Sequence, residues 1–342
     1  MQCFIHVGIT RTAEGFLQKF LSLNLSELIN QKLMYVNFLD PKDLLFLANS
    51  YPKKTFSFLK MNNIYQVDEY KYKEILIKLR GFKSIFNSES FLLSSQYLHS
   101  EIYSVKDLEV LRNRLKKIGF KDIKIIIYLR DPLGLASALF SSLTREGVYI
   151  SNIPNPYEDT DQARYFNFLC DHRKTLERFT SAFGRENLIV RIFNKDSLKN
   201  QSILEDFLDI FDIAWNQDFT IPKSERKALS NLGPEILGRI NKRIPTTDSL
   251  TRIKLRKLLL SSFDDLFTNE NYNLSPNLHH FYEEAFAESN EWVRQKFFPE
   301  RELLFPKRPL PKAFDHGFTE QELDNIANLL ADLWLEQEQG LS

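Results

Sequence analysis

Apolar and polar positions alternate in blocks along this chain, and the block lengths predict strands and helices in turn. Residues 2–9 form an apolar run, followed by a short polar turn and an amphipathic stretch predicted as a helix over about 14–30. Residues 32–38 read as a short strand or extended connector, and Asp40-Pro41 as the cap and first turn of a helix through Ala48. A helical stretch over 67–80 is expected to stop at Gly81, and 83–87 to form a strand running into Ser88-Glu89-Ser90. A helix over 104–118 closes on Gly119. The run Lys124-Ile125-Ile126-Ile127-Tyr128-Leu129 is the strongest strand, its continuous β-branched residues fitting burial on both faces of a parallel sheet. It leads through Arg130-Asp131-Pro132 into a helix to about residue 146. One long helix is predicted over 161–183 and a buried strand over 188–192. From Ser202 the pattern is helical: 203–211, 233–243, 250–266, 279–298 and 319–336. Alternating strands and helices imply an α/β fold with a parallel sheet, right-handed crossovers and a helical C-terminal half.

Composition narrows the classes. Of 342 residues, 43% are hydrophobic and 26% charged, with 45 Lys+Arg against 45 Asp+Glu, which fits a globular chain and disfavours nucleic acid as a bulk partner. Cys3 and Cys170 have neither metal-ligand spacing nor a disulfide framework and are expected to be buried thiols; no His/Cys/Asp cluster suggests a metal. No run approaches the roughly 20 apolar residues of a membrane span, and the first strand leaves no room for a leader, so a cytoplasmic location is expected.

The chemistry concentrates at two strand ends. A buried strand feeding a short loop at a helix N-terminus aims backbone N–H groups and the helix dipole at one spot, which suits an anion. Arg130 falls at the C-terminal end of a central strand, where open α/β sheets bind ligands, and its planar fork suits a phosphate; a salt bridge is the structural alternative. The first loop resembles the 5′-phosphosulfate loop of sulfotransferases, Ile-His-Ile-Gly-x-x-Lys-Thr-Gly-Thr-Thr-x-Leu-Gln. Ile5, His6, Gly8, Thr12, Leu17 and Gln18 fit, Arg11 stands for the lysine, and Ala13, Glu14 and Gly15 stand for Gly-Thr-Thr. Arg130, Asp131, Pro132 and Leu139 resemble the family's 3′-phosphate motif, in which a serine follows eight residues after the arginine. Here that position is Ala138, and Ser137 lies one residue early. The segments 165–169, 183–193, 204–208, 224–241 and 288–305 resemble later parts of the family in their usual order, so the resemblance covers most of residues 2–305.

The resemblance implies a phosphate-loop α/β sandwich over 1–305, with a sheet core to about 200 and a helical acceptor side over about 201–305, plus a helical extension over 306–342. It implies the donor 3′-phosphoadenosine-5′-phosphosulfate. Arg11 and the backbone from Gly8 through Thr10, Thr12, Ala13, Glu14 and Gly15 would hold the sulfonate, and Arg130 with Ser137 the 3′-phosphate. Glu89, after a predicted strand, is the first candidate for the base that takes the acceptor's proton; a helix-capping acid is the equal alternative. His6 is expected to be buried in its strand. Glu14 stands out, because a carboxylate inside an anion nest repels the ligand unless it points outward as an ordinary first-turn residue.

Three functions follow. The first is sulfuryl transfer to a hydroxyl or amine of a glycan or small molecule. The second is a non-catalytic or repurposed protein with a binding or assembly role in bacterial surface-polysaccharide biosynthesis. The third is a transferase using another nucleotide-linked donor. The region beyond Leu303 is a candidate homo-oligomerisation element, and a closing helix packed on its own domain explains it equally well.

Overall fold

The computed structural model describes residues 1–9, 11–48, 69–86, 89–223, 238, 241–242, 275–307 and 326. Among them, β1 (Gln2–Val7), β2 (Leu33–Tyr35), β3 (Ser90–Ser94), β4 (Asp122–Leu129) and β5 (Leu188–Ile192) form one parallel sheet in the order β2-β3-β1-β4-β5. The α/β class read from the sequence is therefore the class observed.

The side-chain alternation of β1 and β4 sorts the helices into two layers. Cys3, Ile5 and Val7 join Ile125, Ile127 and Leu129 on one face. That face is covered by α3 (Asp43–Ala48), α4 (Glu69–Ile85), α5 (Tyr97–Ser100), α6 (Val105–Ile118), α7 (Pro132–Arg145), α8 (Asp161–Cys170), α9 (His172–Phe183) and α11 (Pro276–Phe297). Phe4, Leu92, Ile126 and Tyr128 line the other, under α1 (Glu14–Leu23), α2 (Leu25–Asn30) and α10 (Ile203–Asp209). Each large apolar side chain so buried contributes about 1.5–3 kcal/mol, so the sheet is held by its two apolar coats. Both cysteines are buried in the first of these. Among the described residues no helix is long and apolar enough to cross a membrane.

Several boundaries differ from the pattern reading. The stretch 83–87 is not a strand: α4 runs through Gly81 to Ile85, and the strand is Ser90–Ser94, lying between β2 and β1. The helix expected over 14–30 breaks at Asn24, whose side-chain amide turns to the Phe20 carbonyl and, at 2.9 Å, to the Thr220 carbonyl. The helix expected over 161–183 breaks at Asp171, which caps α9 through Lys174 N–H and accepts a hydrogen bond from Ser289 of α11 at 2.9 Å. The helices expected over 233–243, 250–266 and 319–336 lie outside the described residues, except that Gly238, Asn241, Lys242 and Ile326 are helical.

This strand order fixes where a ligand can enter. The chain leaves β1 toward β2 and β3 on one side and returns to β4 on the other, so the order reverses between β1 and β4. The crevice beyond the C-terminal ends of those two strands is the switch point at which open α/β sheets bind ligands.

Candidate anion site at the β1–α1 loop

Both strand ends that bound this crevice carry an arginine. Between β1 and α1, Arg11 stands at φ 77° and Ala13 at φ 65°, left-handed conformations uncommon for residues with a Cβ. The turn is closed by Thr12, whose N–H donates to the Ile9 carbonyl at 3.1 Å and whose hydroxyl donates to the same carbonyl at 2.9 Å. Ala13 stands at the helix cap and offers no side-chain acceptor. Orphan N–H groups of the first turn therefore need another partner.

Glu14 supplies it. Its carboxylate folds back into the loop, accepts the Thr12 N–H at 2.9 Å and lies 3.3 Å from the Thr12 hydroxyl, with 8% of the residue exposed. Burial raises the Glu14 carboxyl above its ordinary pKa, opposed by the Thr12 and Glu14 N–H groups, the Arg11 charge and the Thr12 hydroxyl. The outward orientation expected of a first-turn acid is thus not the one adopted. The side chain crosses directly over Gly8, where an added Cβ would come within 2.1 Å of Glu14 Cγ.

Across the crevice, Arg130 follows the last residue of β4. Its Nη1 donates to the Arg11 carbonyl at 2.9 Å, and its guanidinium lies 5.8 Å from the centre of the Phe193 ring. Its own carbonyl accepts from Nε2 of buried His172 at 2.6 Å. Burial keeps His172 below the usual histidine pKa. Arg130 is therefore half-buried, held at both its backbone and its side chain, and aimed at the loop. Asp131 caps α7 by accepting the Gly134 N–H at 2.8 Å, with Pro132 in the first turn. Ser137 and Ala138 are both half-buried on that helix.

The sequence-expected residues divide. Gly8, Arg11, Thr12, Ala13, Glu14 and Arg130 meet at the crevice, Gly15 follows as an exposed residue of α1, and Ser137 lies further along α7; Thr10 lies outside the described residues. Glu89 is not brought to them. It precedes β3 beside Gln2, whose N–H donates to the Glu89 carbonyl at 3.1 Å, and its exposed carboxylate pairs with Lys32 at 2.5 Å. Five residue steps of β1 separate that edge from the loop, roughly 17 Å at the usual rise per residue.

The correct position of β3 uncovers a polar strip that sequence reading missed. His6 Nδ1 is 2.9 Å from the Ser94 hydroxyl, and Gln18 of α1 donates to Ser94 Oγ at 3.1 Å and to Gln96 Oε1 at 3.4 Å. His6 is fully buried against Tyr128 and Phe207, as expected, and burial lowers its pKa to about 4, which keeps the imidazole neutral. The signal was there, a Ser-Ser-Gln turn after an apolar run, but it marks a sheet edge only once the strand is placed at Ser90–Ser94. Glu101, just beyond α5, is raised by burial to about 7, with the Ser100 hydroxyl and the Lys42 charge opposing.

No family model matches this chain, and no curated protein matches it. Among solved structures, it is similar to the crystal structure of a sulfotransferase from Alicyclobacillus acidocaldarius, with 15% sequence identity over 70% of this chain and 91% of that one and a TM-score of 0.43. A likeness of that extent fixes neither ligand nor activity.

Proposed function

We propose that this chain is a sulfotransferase-like protein whose donor place is filled by its own Glu14, and that it serves a binding or assembly role rather than transferring a sulfuryl group from 3′-phosphoadenosine-5′-phosphosulfate. The observation that carries this reading is the buried Glu14 carboxylate accepting the Thr12 N–H. A donor phosphosulfate would need the same Thr12 N–H and the volume over Gly8, which the Glu14 side chain occupies. Surface-polysaccharide biosynthesis is the setting this reading gives the role, and a transferase with another nucleotide-linked donor is the form it takes if a ligand without an oxyanion at this loop is used.

Sulfuryl transfer is the second reading, and the approach of Arg130 to the Arg11 carbonyl favours it, since both arginines then border one crevice. In that reading Arg11 and the loop backbone hold the sulfonate, Arg130 and Ser137 the 3′-phosphate, and the acceptor oxygen displaces the donor phosphate at sulfur while a base takes its proton. Glu89, at the opposite sheet edge, would then leave the base to a group such as Glu101, which follows the C-terminal end of β3.

Calorimetric titration with adenosine 3′,5′-bisphosphate at pH 7.5 separates the two. The proposal expects no binding in the micromolar range. Micromolar binding that disappears in Arg130→Ala and Arg11→Ala would overturn it, support a sulfotransferase-type donor site and justify an acceptor screen for the second reading.

A further inference from the structure

We infer that Glu14 is a built-in occupant of the β1–α1 loop, an autoinhibitory contact that the phosphate or sulfate end of a ligand must displace before it can bind. This rests on the reading above that the loop is the ligand place, and adds what controls that place.

Glu14 occupies the loop as a ligand would. Its carboxylate takes the N–H of Thr12, fills the volume over Gly8 and lies in the field of Arg11. Gly8 is informative because its backbone is not in the left-handed region: the positive-φ glycines are Gly119, Gly147 and Gly184. What the missing Cβ provides at position 8 is therefore space, and the atom occupying that space is Glu14 Cγ.

The contact is also built to be reversible. Glu14 is the first residue of α1, so its side chain can rotate out without unwinding a helical turn. The next residue, Gly15, is exposed, and nothing lies within 4 Å of where its Cβ would be. Burial disfavours the charged carboxyl, which lessens the cost of releasing it to water. The loop frame does not depend on it, because Thr12 to Ile9 and Arg130 to Arg11 close the turn independently. With Glu14 withdrawn, the Thr12 N–H and Arg11 remain around a vacated place of carboxylate size, with Arg130 anchored beside it on the Arg11 carbonyl.

The test is titration of wild type, Glu14→Gln and Glu14→Thr with adenosine 3′,5′-bisphosphate, and separately with inorganic phosphate, each variant first shown to be folded by circular dichroism. Glu14→Thr is expected to bind the bisphosphate at least tenfold more tightly than wild type, Glu14→Gln to fall between, and Arg130→Ala added to Glu14→Thr to abolish the gain. Equal behaviour of wild type and Glu14→Thr overturns the inference. If neither binds, the non-donor reading stands without it; if both bind tightly, that reading falls as well.

A second measurement needs no ligand. Gly8→Ala should lower the melting temperature of wild type by a few degrees more than that of Glu14→Gly, because the three atoms nearest the added methyl group, Cγ, Cδ and Cβ, all belong to Glu14. An equal drop in both backgrounds would place the Glu14 side chain outside the loop and sink the inference.

Discussion

The β1–α1 loop and the β4–α7 turn occupy equivalent places, each joining the C-terminal end of a central strand to a helix, yet they solve the same problem in opposite ways. At β4–α7, Asp131 caps from outside the helix, Pro132 fits the first turn, and the backbone stays in ordinary regions. At β1–α1 the cap is Ala13, two residues with side chains take left-handed conformations, and the acceptor is a buried residue of the helix itself. An Asp at the cap satisfies the N–H groups at the rim, in contact with water. The Glu one position later instead reaches back past the cap to the N–H of Thr12, which precedes the helix. One turn is finished as a helix start, whereas the other has the form of an occupied ligand place.

Removing the charge from the occupied turn is expected to have the largest effect. The Glu14 carboxyl is raised above 4.5 in the folded protein, so its contribution is fully present below about pH 4.5 and is lost as pH rises through the raised value. Wild type should therefore lose stability relative to Glu14→Gln across that window, by about 1.4 kcal/mol for each pH unit of elevation. Chemical denaturation of both proteins from pH 4 to pH 8 measures it, and parallel curves would mean the carboxyl is not buried. Next in size is the ordinary cap: Asp131→Ala should cost about 1 kcal/mol. A much larger loss would show the β4–α7 turn to be as specialised as its neighbour. The smallest effect is expected at Ala13→Gly, where relief of the left-handed conformation should offset the added chain entropy and stabilise by roughly 0.5–1 kcal/mol. Thermal melts that show destabilisation instead would argue that the Ala13 methyl group packs in the loop.

How much of this was legible in the sequence depended on whether the deciding interaction was local. The isoleucines of β4 announce a buried strand by themselves, and Gly119, at φ 103°, stops α6 for a reason visible in one residue. By contrast, β3 is Ser-Phe-Leu-Leu-Ser, with no β-branched residue to separate it from helix, and only its place between β1 and β2 makes it a strand. The Ile85-Phe86 pair nearby carried the stronger apolar signal and drew the expectation away, taking Glu89 with it. Asn24 and Asp171 end helices through partners 196 and 118 residues distant, Thr220 and Ser289, which no window of sequence contains. At the candidate site, the loop and Arg130 could be placed from motif and strand end alone. The orientation of Glu14 could not, because the same residue at the same position can face water or the nest, and the choice is made by the space over Gly8.

Arg130 grips a peptide carbonyl, not a side chain, and a carbonyl is common to every amino acid. The latch is therefore blind to what residue 11 is. A lysine, an arginine or an uncharged residue there would be held in the same position, so the loop's identity can drift while its frame stays fixed. The shape of the loop is thus set by backbone, apart from the side chains it carries.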